Sequence, residues 1–128
     1  MKEFTKASWS SIEPGVEFQN NWHIDAISEH LQAVVDGDIK RLIINVPPRH
    51  MKSISVAVVL PAWTWTRQPE KKFLYASYAS SLSIRDSVKC RRLLDSRWYK
   101  SHFGDSFQLT SDQNQKQRFE NDKTGARI

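Results

Sequence analysis

The chain has 128 residues, 39% of them hydrophobic, which is room for one domain with a core and too little for several. Its 19 basic and 14 acidic side chains give a net charge of +5 and a pI near 9.5, a balance that favours polyanionic partners such as nucleic acid or a nucleotide. The single Cys90 excludes an internal disulfide and reads as a buried thiol on a helix. The longest apolar stretch, Ile54 to Trp65, is interrupted by Ser55, Pro61 and Thr64 and falls short of the ~20 residues that span a bilayer, so a soluble protein with no membrane partner is expected.

Met1 to Ser10 holds two lysines and no apolar run, which does not match a secretory signal. From Asn21 to Val35 the apolar residues Ile24, Ile27, Leu31, Val34 and Val35 recur at three- and four-residue steps, the mark of an amphipathic helix. Gly37 supplies its C-terminal stop, and Asp36 to Lys40 makes a polar turn. Arg41 to Val46 is a short, β-branched apolar run that suits a strand buried on both faces, ended by Pro47-Pro48 because neither can donate to a ladder. Ser53 to Leu60 reads as a helix packed inside an α/β domain, with Pro61 ending or kinking it.

Lys72 to Tyr78 is a second strand candidate. Ser81 to Asp95 follows as a polar helix with Ser83 and Asp86 at capping-box spacing. Strand, helix, strand, helix predicts a parallel sheet with right-handed crossovers. Beyond Trp98, Phe107 to Thr110 and Gln117 to Asn121 are candidate short strands, and Asn121 to Gly125 reads as a turn into a further strand.

The chemistry concentrates in Val46-Pro47-Pro48-Arg49-His50-Met51-Lys52-Ser53, between the predicted strand and buried helix. Backbone N–H groups at a helix start point at an anion, Lys52 can reach the β- and γ-phosphates, and the Ser53 hydroxyl can ligate Mg²⁺. The strict phosphate-loop pattern fails, because its two glycine positions hold Val46 and Met51. Met51 therefore implies either strain or a different backbone path. Pro47 and Pro48 lack N–H groups, so the cradle rests on the amides from Arg49 to Ser53, with Arg49 partly replacing lost donors. The residues alone leave a second reading open, in which Pro-Pro stops a strand, Arg49 and Lys52 are solvated and Ser53 caps a helix.

On the later helix Arg85, Lys89 and Arg92 form one basic stripe, fit for DNA phosphates or a neighbouring subunit but more ordinarily a solvated face. Trp63, Trp65, Trp98 and Tyr99 suit core packing better than base stacking. His30 and His102 have no ligand partners in sequence.

Three groups of residues together resemble the N-terminal ATPase region of phage and prophage terminase large subunits. They are Asn21 to Ile27, Leu42 to Ser53, and Tyr75 to Tyr78 with Arg91 to Leu94. The similarity runs from about Phe18 to the end of the chain. It implies residues 1 to 128 as the first portion of a P-loop NTPase domain of the ASCE type, three-layered αβα with a mostly parallel sheet. It implies ATP and Mg²⁺ as cofactors, with Pro48 to Ser53 around the nucleotide phosphates, Lys52 and Arg49 as catalytic cations and Ser53 on the metal. A proline-started loop with an arginine is usual in that family, although glycine is common where Met51 stands. Phe18, Gln19, Trp22 and His23 fall where such ATPases contact adenine; on the residues alone, an aromatic leading into a helix is more often a staple onto the core.

The implied role is a DNA-packaging motor subunit in the cytoplasm of a bacterial host. Its implied partners are double-stranded DNA, a small terminase subunit, a portal protein and further copies in a ring. The strand ending in an acidic residue that such an ATPase needs is not among these residues, nor is a nuclease domain. Nucleotide binding without efficient turnover, and an exposed sheet edge, are the expectations for the chain itself. A helicase-like nucleic-acid ATPase and a basic module that binds nucleic acid or protein without nucleotide are the alternatives.

Overall fold

The computed structural model describes the backbone of residues 1–128 and all side chains except those of residues 112–114. Helix α1 (Lys2–Ile12) opens the chain and packs on α2 (Trp22–Asp36). Lys2 pairs with Asp25 at 2.7 Å between them. Asn21 begins α2 by accepting the Trp22 N–H on its side chain. Gly37 ends it at φ 93°, a left-handed conformation in which its N–H reaches the carbonyls of Ala33 and Val34.

Three contiguous helical stretches follow the loop: α3 (Lys52–Ile54), a π-helical turn (Ser55–Val59) and α4 (Leu60–Trp65). The helix thus runs through Pro61 instead of stopping there. The π turn makes this possible, since the Leu60 N–H bonds the carbonyl of Ser55 five residues back. Pro61 has no N–H, so the carbonyls of Val56 and Ala57 lose their helical donors. The Tyr75 hydroxyl donates to Val56 O at 2.9 Å and the Arg127 guanidinium to Ala57 O at 3.2 Å. Tyr99 serves the next turn, donating to Ala62 O at 2.8 Å.

Strand β1 (Lys72–Phe73) leads to α5 (Ser80–Asp95) and α6 (Arg97–Phe103), and β2 (Leu109–Asn114), β3 (Phe119–Asn121) and β4 (Ala126–Arg127) complete a mixed α/β fold. The sheet order is β1-β4-β3-β2, with β1 and β4 parallel and the other two pairs antiparallel. The turn before β4 forms as expected. Asn121 Oδ1 accepts the N–H groups of Lys123 and Gly125, and its Nδ2 donates to Pro69 O.

Several expectations are corrected. The sheet is small and mixed, not mostly parallel. Arg41 to Val46 is extended but joins no ladder, and Ile43 is 85% exposed, so the run is not buried on both faces. The reason is the lack of a neighbouring strand: Leu42, Ile44 and Val46 pack on the core while alternate residues face outward. In Lys72 to Tyr78 the strand ends at Phe73, with one further backbone bond from Tyr75 N–H to Ile128 O, and Leu74 is 80% exposed. These side chains mark a face that no helix covers among the described residues, so a third layer is not present on them. Between the two extended runs lies a slot of about 330 Å³. The capping box does not form, because α5 begins three residues before Ser83, whose hydroxyl donates to Ser80 O, and Asp86 pairs with Arg85.

The core is rich in aromatics. Trp65 is fully buried and meets Phe107 and Phe119 edge to face at 5.3 and 5.9 Å. Phe4 from α1 meets Trp98, Tyr99 and Phe103, which places the tryptophans and Tyr99 in packing roles. Cys90 is fully buried on α5, and burial pushes its thiol up to about 12. The folded state thus disfavours the thiolate. Stability linked to Cys90 is full below the thiol's ordinary pKa and is lost as pH rises from there towards 12. In native protein at pH 8 Cys90 should resist a thiol reagent for as long as the fold persists and react at once in denaturant; rapid native labelling would contradict its burial.

Candidate phosphate-binding site

The loop Pro47 to Met51 links the extended run to α3 and is exposed from Pro47 to His50. Its backbone takes the strained of the two paths open to it: Met51 sits at φ 60°, ψ 5° as the residue before α3, and Arg49 at φ 67°. Both are left-handed conformations that glycine adopts freely and other L-residues rarely do. The glycine position of a phosphate loop thus keeps glycine's geometry without the glycine. His50 lies between them, and because a carbonyl only accepts, its Nδ1–H donates to Pro48 O at 2.9 Å.

Lys52 and Ser53 are exposed in the first turn of α3, and neither Arg49 nor Lys52 has a carboxylate partner among the described residues. The whole run from Pro48 to Ser53 faces one cavity of about 510 Å³. The opposite wall belongs to α5, which contributes Leu82, Arg85, Asp86 and Lys89. Arg85 pairs with Asp86 at 2.8 Å and Lys89 with Glu13, the residue after α1. Of the predicted stripe, the structure brings Arg85 and Lys89 to the loop and leaves Arg92 outside that cavity.

Neither a protein-family model nor a curated protein nor a solved structure matches this chain. What the site can do follows from its own geometry.

The residues proposed to meet a base divide. Trp22 is 78% exposed, so it is not a staple onto the core; Phe18 takes that place, 5.5 Å edge to face from Trp9. His23 packs against His50 of the loop at 5.3 Å, joining the start of α2 to the phosphate side. Trp22 and His23 line a second cavity of about 300 Å³ that reaches Val46, the residue at which it adjoins the loop's cavity. Gln19 is exposed and lines neither. For a divalent cation the side-chain oxygen donors are the Ser53 hydroxyl and the carboxylate of Asp86, which both line the loop's cavity and the slot between the two extended runs. Among the described residues no group of three or more His, Cys, Asp or Glu is placed to hold a metal.

The sequence pointed to Lys52 and Ser53 through their spacing. It gave no signal for Asp86 at the site or for Glu13 behind it, since both are remote from the loop in the chain.

The left-handed Met51 generates a stability prediction. A non-glycine residue in this region is disfavoured by ~1–2 kcal/mol, partly offset in a glycine variant by the greater freedom of its unfolded chain. Met51→Gly should stabilise the protein by roughly 0.5–1 kcal/mol, a melting-temperature rise of about 2–5 °C by calorimetry. A fall would show that position 51 does not hold a positive φ.

Proposed function

We propose that this chain binds a nucleotide through Pro48 to Ser53 and forms part of an ATPase that translocates double-stranded DNA, in the manner of a terminase large subunit. The observation that supports it most is the left-handed Met51 directly before α3, with Lys52 and Ser53 turned to a cavity and Lys52 without a counter-ion among the described residues. A backbone that accepts this strain at a solvent-facing loop fits a phosphate cradle. In this reading Lys52 grips the outer phosphates, Arg49 offsets charge developing on them, and Ser53 with Asp86 holds Mg²⁺, which screens the phosphate charge. The base extends over Trp22 and His23.

The packaging role, the ring of copies, the small subunit and portal partners, and the bacterial cytoplasm rest on the motif resemblance alone. No helix among the described residues is long and apolar enough to cross a membrane.

Titration with a fluorescent ATP analogue tests the phosphate cradle. Lys52→Ala should weaken binding at least tenfold, or about 1.4 kcal/mol. Equal affinity for both proteins would sink the assignment and leave the basic, nucleotide-free module in its place.

The base contact has its own test. Trp22→Ala should lower ATP affinity several-fold by removing a stacking surface while leaving inorganic tripolyphosphate binding unchanged. Parallel losses for both ligands would move Trp22 from the base to the loop's support.

A further inference from the structure

The loop's cavity has two charged banks. On one side stand Arg49 and Lys52, unpaired among the described residues; on the other stand Arg85 and Lys89 of α5. Four formal positive charges therefore face a cavity of about 510 Å³ in which Asp86 is the one described carboxylate. Each α5 cation is held by an acid from the protein itself, Arg85 by Asp86 and Lys89 by Glu13. These pairs are partly open to solvent: the Arg85 side chain is 52% exposed and that of Lys89 28%. Asp86 itself is buried, with its side chain 12% exposed, so a phosphate oxygen would join the open N–H donors of these cations beside the carboxylates that hold them.

A single phosphate on the loop would satisfy Lys52 and the helix-start amides and leave the α5 bank unused. A chain of phosphates is different, because its far end crosses the cavity. Resting on the phosphate reading of the loop, we propose that Arg85 and Lys89 are additional phosphate ligands, which make the site selective for a polyphosphate chain of at least two phosphates. The guanidinium of Arg85 offers several N–H donors to a terminal phosphate, and the Lys89 ammonium adds a point charge beside it. Asp86 and Glu13 hold these cations in place until the anion enters. The same cations belong to a stripe that could track a DNA backbone, but Arg92, its third member, lies outside the cavity, so the enclosed geometry favours the compact ligand.

Calorimetric titration with inorganic phosphate, pyrophosphate and tripolyphosphate, and separately with a short DNA duplex, tests this on the wild-type chain and the Arg85→Gln, Lys89→Gln and Lys52→Ala variants. Affinity of the wild-type protein should rise from phosphate to tripolyphosphate. Arg85→Gln should remove about tenfold of the tripolyphosphate affinity and leave the monophosphate affinity unchanged, with Lys89→Gln acting in the same direction and more weakly. If both glutamine variants bind all three anions like wild type while Lys52→Ala loses them, the loop site stands and the second bank is wrong. If they lose duplex binding only, the bank serves nucleic acid and the proposal is overturned. If Lys52→Ala also binds every anion like wild type, the loop reading fails and this proposal with it.

Discussion

A proline inside a helix sets the terms for this structure. Pro61 lacks the N–H that a regular helix needs, and the chain responds with a π turn over Ser55–Val59 that leaves two carbonyls without helical donors. A buried carbonyl with no partner costs ~1–3 kcal/mol, so the carbonyls of Val56 and Ala57 require outside help. Tyr75, just past β1, and Arg127 in β4 supply it. These two bonds fasten to the sheet the helix whose first turn holds Lys52 and Ser53, so the candidate site is anchored from one turn behind.

The anchoring places a cation where none would ordinarily sit. Arg127 is 1% exposed and has no carboxylate partner among the described residues. Its charge is met by the Ala57 carbonyl and by the faces of Tyr75 at 4.5 Å and Phe119 at 5.9 Å. Cation–π contact is worth more when desolvated, which makes the aromatic core an electrostatic partner as well as a hydrophobic one. The Nε of Arg127 still lacks an acceptor among the described residues.

In front of this rigid base the candidate site is exposed and positively charged. Its parts come from far apart in the chain: the loop, the start of α2 through the His23–His50 contact, and α5 through Arg85 and Lys89. At the loop the strain lies at Arg49 and Met51, while Tyr75 and Arg127 bond the two open carbonyls of the helix behind them. A loop held in an unfavourable conformation by a stiff support is what preorganised anion binding requires, because the ordering cost is met in folding and not on binding.

Much of this was legible in residue order where local physics decides. The three- and four-step spacing of Ile24, Ile27 and Leu31 makes α2 an amphipathic helix, Gly37 alone takes the left-handed stop without strain, and Asn121 to Gly125 makes its turn from its own side chain. Lys52-Ser53 after a proline loop marked the phosphate candidate, and Met51 marked the strain. Helix α1 escaped notice because Thr5 and Ser8 fill much of its buried stripe and blur the apolar period. The fate of Arg41 to Val46 was decided only by its neighbours, since a β-branched run becomes a strand when another backbone lies alongside. Pro61 by itself ends or kinks a helix, and which of the two happens depends on Tyr75 and Arg127, which are 14 and 66 residues further along the chain. Sequence fixes what each residue can donate or accept, and tertiary structure decides which distant group is there to meet it.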